Sequence, residues 1–203
     1  MKEEENKQIQ INMAILEREN LSNQVRGLIQ QLNPHFFFNA LNTLSGIVRE
    51  NPEKSEMFID KLSQVFRYVL KLEDYTIVDI GEELKFMDDY IFLLKIRFED
   101  MLNIRMNDTT DGKYKVVPLC TQLLLENIIK HNRINRQIPM NIDITIDEEY
   151  LTVSNTYLPK NNLNSSKMGL KNLNKRCELH LGKSIIVEQN NSLFTVKVPL
   201  IRA

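Results

Sequence analysis

Residues 31–42 read QLNPHFFFNALN, and this stretch decides how the first part of the chain is expected to fold. It lies in a run of strong helix formers from about residue 8 to residue 48, so we predict one long helical region. Pro34 removes a backbone donor from that helix and therefore predicts a local kink. Downstream of the proline, one apolar stripe consists of Phe37, Leu41, Leu44 and Val48.

His35 lies about 160° from this stripe on a helix that turns by roughly 100° per residue, so its side chain is expected to point away from the core. A neutral imidazole is a good nucleophile near pH 7, which is what acceptance of a phosphoryl group requires. The alternative is that His35 is a capping or packing histidine beside a proline. Its position on the helix leaves both interpretations open.

A second helix is predicted after Asn51-Pro52, an N-cap followed by proline at the first helical position. Its apolar residues alternate spacings of four and three, as in a coiled-coil seam: Phe58, Leu62, Val65, Val69 and Leu72. The two helices form a helical hairpin. Because one hairpin cannot cover its own seam, we expect a homodimer in which two hairpins make a four-helix bundle.

The rest of the chain mixes helices with strands. Residues 79–82 resemble a capping box, and the helix that they begin reaches about Phe98. Beyond it, apolar residues recur at every second position in short segments, interrupted by helices over residues 119–132 and 169–179. This order predicts an α+β fold with one mixed sheet covered by helices. We therefore expect a helical dimerisation domain, residues 1–78, and an α+β domain, residues 79–203.

Two helix ends in the second domain carry polar residues suited to a nucleotide. Asn127 and His131 lie one turn apart; an amide oxygen suits Mg²⁺, and Lys130 can balance phosphate charge. Gly169 and Leu170 begin the next helix, where a glycine exposes backbone N–H groups to an anion. The plainer interpretations are a solvated last turn and a glycine that merely starts a helix.

Composition narrows the functional classes further. The net charge of -1 makes a non-specific grip on nucleic acid unlikely, and no direct nucleic-acid partner is expected. The two cysteines, Cys120 and Cys177, have no metal-type spacing and fit a reducing compartment. No apolar run approaches membrane-spanning length.

Together these segments resemble the LytS/YehU-type sensor histidine kinases. The string Q-x-N-P-H-F-x-F-N of that family matches residues 31–39, and its N-box, close to L-x-E-N-A-x-K-H, matches residues 124–131 with Ile128 in place of alanine. Its Arg-Tyr and Arg-Phe pairs match Arg67-Tyr68 and Arg97-Phe98. Its glycine-rich segment G-x-G-L-x-N matches Gly169, Leu170 and Asn172.

The resemblance implies a Bergerat-type ATP-binding sandwich that uses Mg²⁺–ATP to phosphorylate His35. It implies contact with Mg²⁺–ATP at Asn127, with Lys130 and His131 near phosphate or ribose. The implied partners are a second copy of the chain and a response regulator, which the resemblance suggests is of LytTR type. The expected location is the cytoplasmic part of a membrane-anchored protein whose sensor or membrane segment precedes this sequence.

Two glycine-containing motifs depart from the family pattern, and one residue differs from many other histidine kinases. The first glycine of G-x-G falls on Lys167, and Asn155 stands where the aspartate of the adenine-binding D-x-G-x-G box is expected, without the glycines that follow it. Phe36 replaces the acidic residue that follows the histidine in many other histidine kinases, which leaves Glu126 as a candidate base. Asn155 can offer its amide oxygen to the adenine amino group, or it can simply end a strand and cap a turn. These departures keep two alternatives open, a degenerate, non-catalytic docking module and an ATPase of the same fold unrelated to signalling.

Overall fold

The computed structural model describes residues 34–72, 75–160, 168–190 and 192–203. The helices in these ranges are α1 Pro34–Ile47, α2 Pro52–Lys71, α3 Ile80–Phe98, α4 Cys120–His131 and α5 Met168–Leu181. The strands are β1 Val78–Asp79, β2 Leu102–Asp108, β3 Tyr114–Val116, β4 Met140–Ile146, β5 Tyr150–Thr156, β6 Ile186–Gln189, β7 Leu193–Pro199 and β8 Ile201–Arg202. The helix predicted upstream of Pro34 lies outside the described residues, as do residues 161–167, which precede α5.

Helix α2 begins as the sequence predicts, because the side chain of Asn51 accepts a hydrogen bond from the backbone N–H of Lys54 at 2.9 Å. We expected the apolar seam of α2 to remain uncovered until a second copy of the chain packs against it, and this expectation is wrong. Four seam residues are already buried within one chain: Phe58, Leu62, Val65 and Val69. The reason is α3, which packs along α2 and covers part of this apolar stripe.

Aromatic rings join the first three helices. The rings of Tyr68 in α2 and Phe86 in α3 stack with their centroids 4.7 Å apart. The ring of Phe36 in α1 lies 5.1 Å from that of Tyr90 in α3. Offset or tilted pairs at such distances contribute about 0.5–1.5 kcal/mol each beyond simple burial. Helix α3 is therefore packed against both helices of the hairpin.

The main sheet has five strands in the order β2-β4-β5-β7-β6. Strands β2 and β4 run parallel, and the other neighbours are antiparallel, so the sheet is mixed as predicted. Alternate residues of β4 are buried, which is the period-two pattern read from the sequence. Helices α3, α4 and α5 contact β2, β5 and β7, respectively. The predicted α+β fold is confirmed.

A small second sheet was not predicted. It has the order β1-β3-β8, and its strands of two or three residues are too short to show a periodic pattern. The sheet also explains why the predicted capping box does not form. Asp79 pairs with Lys115 across β1 and β3, and its side chain makes no cap hydrogen bond to α3.

A turn between β6 and β7 is stabilised by Asn190, whose side-chain oxygen accepts hydrogen bonds from the N–H groups of Ser192 and Leu193 at 2.9 and 2.7 Å. Within the described residues, no helix is long and apolar enough to cross a membrane.

Candidate functional site

A cavity of about 460 Å³ lies between α4, α5 and the sheet. Five of the residues singled out in the sequence line it: Asn127, His131, Asn155, Gly169 and Leu170. They come from three segments that are far apart in the chain, so the fold brings them together. The opposite wall is mostly apolar and includes Val153, Val187, Phe194 and Val196. An apolar wall facing a few polar groups suits a ligand with an aromatic base.

Asn155 lines this cavity and carries a buried hydrogen-bond acceptor. Its side chain is 1% exposed, and its Nδ2 donates to the backbone carbonyl of Thr156 at 2.6 Å. Because only the amide nitrogen can donate to a carbonyl, this bond fixes the amide orientation and leaves Oδ1 as the other atom. Oδ1 has no partner among the described residues, and a buried acceptor without a donor costs about 1–3 kcal/mol. A ligand that brings an N–H group would remove that cost.

The start of α5 lies against the side chain of Asn127. A Cβ atom added to Gly169 would sit 3.4 Å from Asn127 Oδ1 and 3.5 Å from Nδ2, so any longer side chain there would cover the amide. The Nδ2 atom is buried and has no partner among the described residues. Glycine at 169 thus leaves a polar amide beside the first turn of α5, whose backbone N–H groups favour anions.

Positive charge gathers at the carboxyl end of α4. The Nζ atom of Lys160 donates to the carbonyls of Ile129 and Lys130 at 3.1 and 3.0 Å. Burial lowers the pKa of His131 below its usual value, and the charges of Lys130 and Lys160 lower it further. Lys130 itself is exposed and does not line the cavity. An anion bound here would meet two lysines and a histidine at the end of one helix.

Glu126 faces away from the cavity, toward α3. Its Oε1 accepts hydrogen bonds from Gln122 Nε2 at 2.9 Å and from the hydroxyl of Tyr90 at 3.4 Å. Burial and the nearby carboxylate raise the pKa of Tyr90 well above its usual value. Since the ring of Tyr90 also contacts Phe36, Glu126 is linked through Tyr90 to the residue that follows His35 in the chain. His35 is in the first turn of α1, and its side chain lies outside what the structure describes.

Sequence reasoning missed Lys160 and Asn132. Asn132 is buried; its Nδ2 donates to the carbonyl of Ile128 at 3.0 Å and its Oδ1 accepts from the N–H of Leu158 at 2.9 Å. These bonds tie the end of α4 to the segment that follows β5. The sequence indicates only that the last carbonyls of a helix need hydrogen-bond donors from elsewhere. It does not indicate which distant residue provides them.

The site residues fit a nucleotide with its cation. An unpartnered acceptor and an apolar wall suit a base. The start of α5, where Gly169 has no side chain to block access, suits phosphates. In the described ranges no group of three or more His, Cys, Asp or Glu residues could hold a metal ion. Mg²⁺ is usually held by one or two protein oxygens together with substrate phosphates, so Asn127 is a sufficient type of protein ligand.

Comparison with known proteins finds similarity to histidine kinases. Residues 23–102 match the family model described as "Histidine kinase". The sensor protein kinase HptS of Staphylococcus aureus, in strains USA300 and NCTC 8325, is 28% identical over 151 residues, which are 74% of this chain and 29% of that protein. The chain therefore spans less than a third of the length of these relatives. These matches confirm that the chain resembles sensor-type histidine kinases, as its motifs indicate.

Solved structures of histidine kinases are also among the matches. The cytoplasmic segment of histidine kinase QseC aligns with a TM-score of 0.44 at 16% identity, covering 65% of this chain and 81% of that one. The catalytic domain of histidine kinase ThkA aligns with a TM-score of 0.43 at 18% identity, covering 62% of this chain and 95% of that one.

Proposed function

We propose that this chain is the kinase core of a two-component sensor, which binds Mg²⁺–ATP in the cavity and phosphorylates His35. The observation that carries the proposal is that Asn155, whose buried Oδ1 has no partner among the described residues, lines the same cavity as Asn127 and Gly169. An acceptor in that position recognises a ligand with an N–H group, as the amino group of adenine provides.

The residues of the chain divide the work of binding. Asn155 accepts from the adenine amino group, while Val187 and Phe194 cover the faces of the base. The first turn of α5 donates its backbone N–H groups to the phosphates, and Gly169 allows them to approach. Asn127 offers an oxygen to Mg²⁺, which neutralises phosphate charge when it is bound. Lys130 adds positive charge outside the cavity, next to His131, which lines it.

Phosphoryl transfer then requires His35 to approach the nucleotide in line. A nitrogen lone pair of the neutral imidazole attacks the γ-phosphorus, the bond to the β,γ-bridging oxygen breaks, and ADP leaves with that electron pair. The proton on the other imidazole nitrogen must be held or removed, and we assign this role to Glu126. Its support is the position of the carboxylate, hydrogen-bonded to Tyr90, whose ring contacts Phe36 next to His35 in the chain. Positioning and charge neutralisation supply most of the catalysis in such transfers.

The partners follow from the same proposal. The chain would act as a homodimer through exposed apolar side chains of its hairpin, among them Phe38, Leu41, Met57 and Ile59. The phosphoryl group would pass to an aspartate of a response regulator, of LytTR type by the resemblance. The kinase core would lie in the cytoplasm, attached to a sensor or membrane segment elsewhere in the natural protein.

A second candidate is a docking module that dimerises without useful turnover. The replacement of the expected aspartate by Asn155, without the following glycines, favours it, since the neutral amide forms a weaker bond than a carboxylate. The two candidates differ in one measurable property, the transfer of label from ATP.

Incubation with γ-labelled ATP and Mg²⁺ tests the proposal. We expect label that is lost in acid and kept in alkali, as phosphohistidine requires, and no label in His35→Gln, which still binds ATP. Nucleotide binding without any label in the wild type would favour the docking module. Undiminished label in the variant would place the acceptor elsewhere.

A further inference from the structure

Glu83 is a completely buried carboxylate that the proposed chemistry does not use. Its exposure is 0%, and it lies in the first turn of α3. Its Oε1 accepts hydrogen bonds from Thr121 Oγ1 at 2.5 Å and from the N–H of Thr121 at 3.3 Å, and the Cys120 thiol lies 3.6 Å away. Its Oε2 accepts from the N–H of Leu119 and from the hydroxyl of Tyr68, both at 3.0 Å. A group surrounded by so many donors has a defined structural task.

One half of that task is to cap α4. The N-cap residue of α4 is Leu119, which has a φ of 58° and no side chain able to accept from the first N–H groups. Glu83 accepts these hydrogens from another helix and places its carboxylate at the positive end of the helix dipole. The capped end lies about 9 Å along the axis from Asn127, at 1.5 Å per residue. The carboxylate therefore fixes the helix that carries part of the nucleotide site.

The other half is a link to the histidine hairpin. Tyr68 in α2 donates to the same oxygen that receives the N–H of Leu119, and its ring stacks on Phe86. Burial first, and then Glu83, raise the pKa of Tyr68, so its hydroxyl stays a donor at any physiological pH. One carboxylate thus holds the dimerisation hairpin and the nucleotide helix in a fixed relation.

We propose that Glu83 and Tyr68 are positioning residues that set the nucleotide helix α4 relative to the hairpin carrying His35. This inference rests on the proposed kinase function. Breaking the link should leave the cavity able to bind nucleotide but misplace the phosphoryl group relative to the histidine. Small misplacements of reacting groups are costly because transfer requires close, in-line approach. The effect should therefore fall on the rate of transfer and not on nucleotide affinity.

Tyr68→Phe tests the inference, since it removes the hydroxyl and keeps the ring on Phe86. We expect the rate of His35 labelling at saturating ATP to fall by about tenfold, the effect of losing one hydrogen bond to a charged group, with nucleotide affinity within about twofold of wild type. Lys71→Gln is the matched control: it breaks the pair of Lys71 with Glu82, which also joins α2 to α3 but does not reach α4. The control should label at the wild-type rate.

A double-mutant cycle separates positioning from general stability. Tyr68 and Thr121 both donate hydrogen bonds to Glu83, so Tyr68→Phe and Thr121→Val should be non-additive in the labelling rate. Additive effects, an unchanged rate in Tyr68→Phe, or a loss of rate matched by an equal loss of affinity would overturn the inference. A wild-type chain that binds no nucleotide or takes up no label would instead refute the proposed function, and the inference with it.

Discussion

Replacing Asn155 by alanine should weaken ATP binding through the loss of one neutral hydrogen bond. The acceptor is Oδ1, which is buried and has no partner among the described residues, so the ligand's amino group would be its first donor. A neutral hydrogen bond contributes about 1 kcal/mol net, or roughly fivefold in the dissociation constant. Isothermal titration with ATP measures this change directly.

An ATP analogue whose purine lacks the 6-amino group makes the assay specific. Wild type should bind the analogue about fivefold more weakly than ATP, because the analogue lacks the donor of the hydrogen bond. Asn155→Ala should bind the two nucleotides equally, because the variant has no acceptor for the amino group. If wild type and variant discriminate between the two nucleotides to the same degree, Asn155 does not contact the amino group. The residue would then be one that ends β5 and caps the turn.

Asn155→Asp shows how the structure changes a prediction made from sequence. Restoring the family's aspartate would be expected to tighten ATP binding, because a carboxylate accepts more strongly. In the structure, however, the Nδ2 atom of Asn155 donates to the carbonyl of Thr156 at 2.6 Å. An aspartate would place an acceptor against an acceptor there, so we expect a lower melting temperature, about 1–3 kcal/mol of lost stability, along with any gain in affinity.

Three further predictions concern other parts of the chain. Asn127→Ala should weaken binding of Mg²⁺–ATP much more than binding of ATP in EDTA, since the lost oxygen serves the cation; equal losses in the two titrations would contradict this role. His131 has a lowered pKa in the folded chain, so folding favours its neutral form. The free energy of unfolding should therefore decrease as the pH falls below 6.5, the ordinary pKa of histidine. Denaturant titrations should show a smaller pH dependence for His131→Gln, and identical profiles for variant and wild type would refute the assignment. Phe38→Glu, at a side chain 63% exposed, should convert a dimer into monomers by light scattering, whereas Ile138→Glu, 55% exposed and outside the hairpin, should not; a monomeric wild type at micromolar concentration would remove the basis for both.

Local periodicity predicted the parts of the site that share one helix or one strand. The spacing of Asn127 and His131 placed them on one face of α4, and both line the cavity. Gly169 was recognisable because a glycine at a helix start has a specific use beside an anion. Asn155 was found through the resemblance, and its unpartnered oxygen is a feature that only coordinates could reveal.

Contacts between distant elements could not be read in the same way. Glu82 and Glu83 both look like exposed acidic residues in the first turn of a helix, which is a common pattern. Only the packing of α3 against α4 distinguishes them, because it buries Glu83 at the start of α4 and leaves Glu82 to pair with Lys71. The prediction that a second chain covers the apolar stripe of α2 was wrong for a related reason. The spacing of Val65 and Val69 shows that the stripe must be covered, but it does not show which element covers it.

Helix α3 is the element through which the two halves of the chain can influence each other. Its aromatic contacts are those of Phe86 with Tyr68 and of Tyr90 with Phe36. Because such pairs form over centroid separations of about 4.5–7 Å, they tolerate small sliding of the hairpin. A hydrogen bond tolerates far less, because it weakens steeply as its angle closes. The bond from Tyr68 to Glu83 is therefore the contact that would first register a rotation of α2, and Glu83 would pass it to the start of α4. Aromatic packing thus holds α3 against the hairpin, and the buried carboxylate of Glu83 fixes the relative position of α2 and α4.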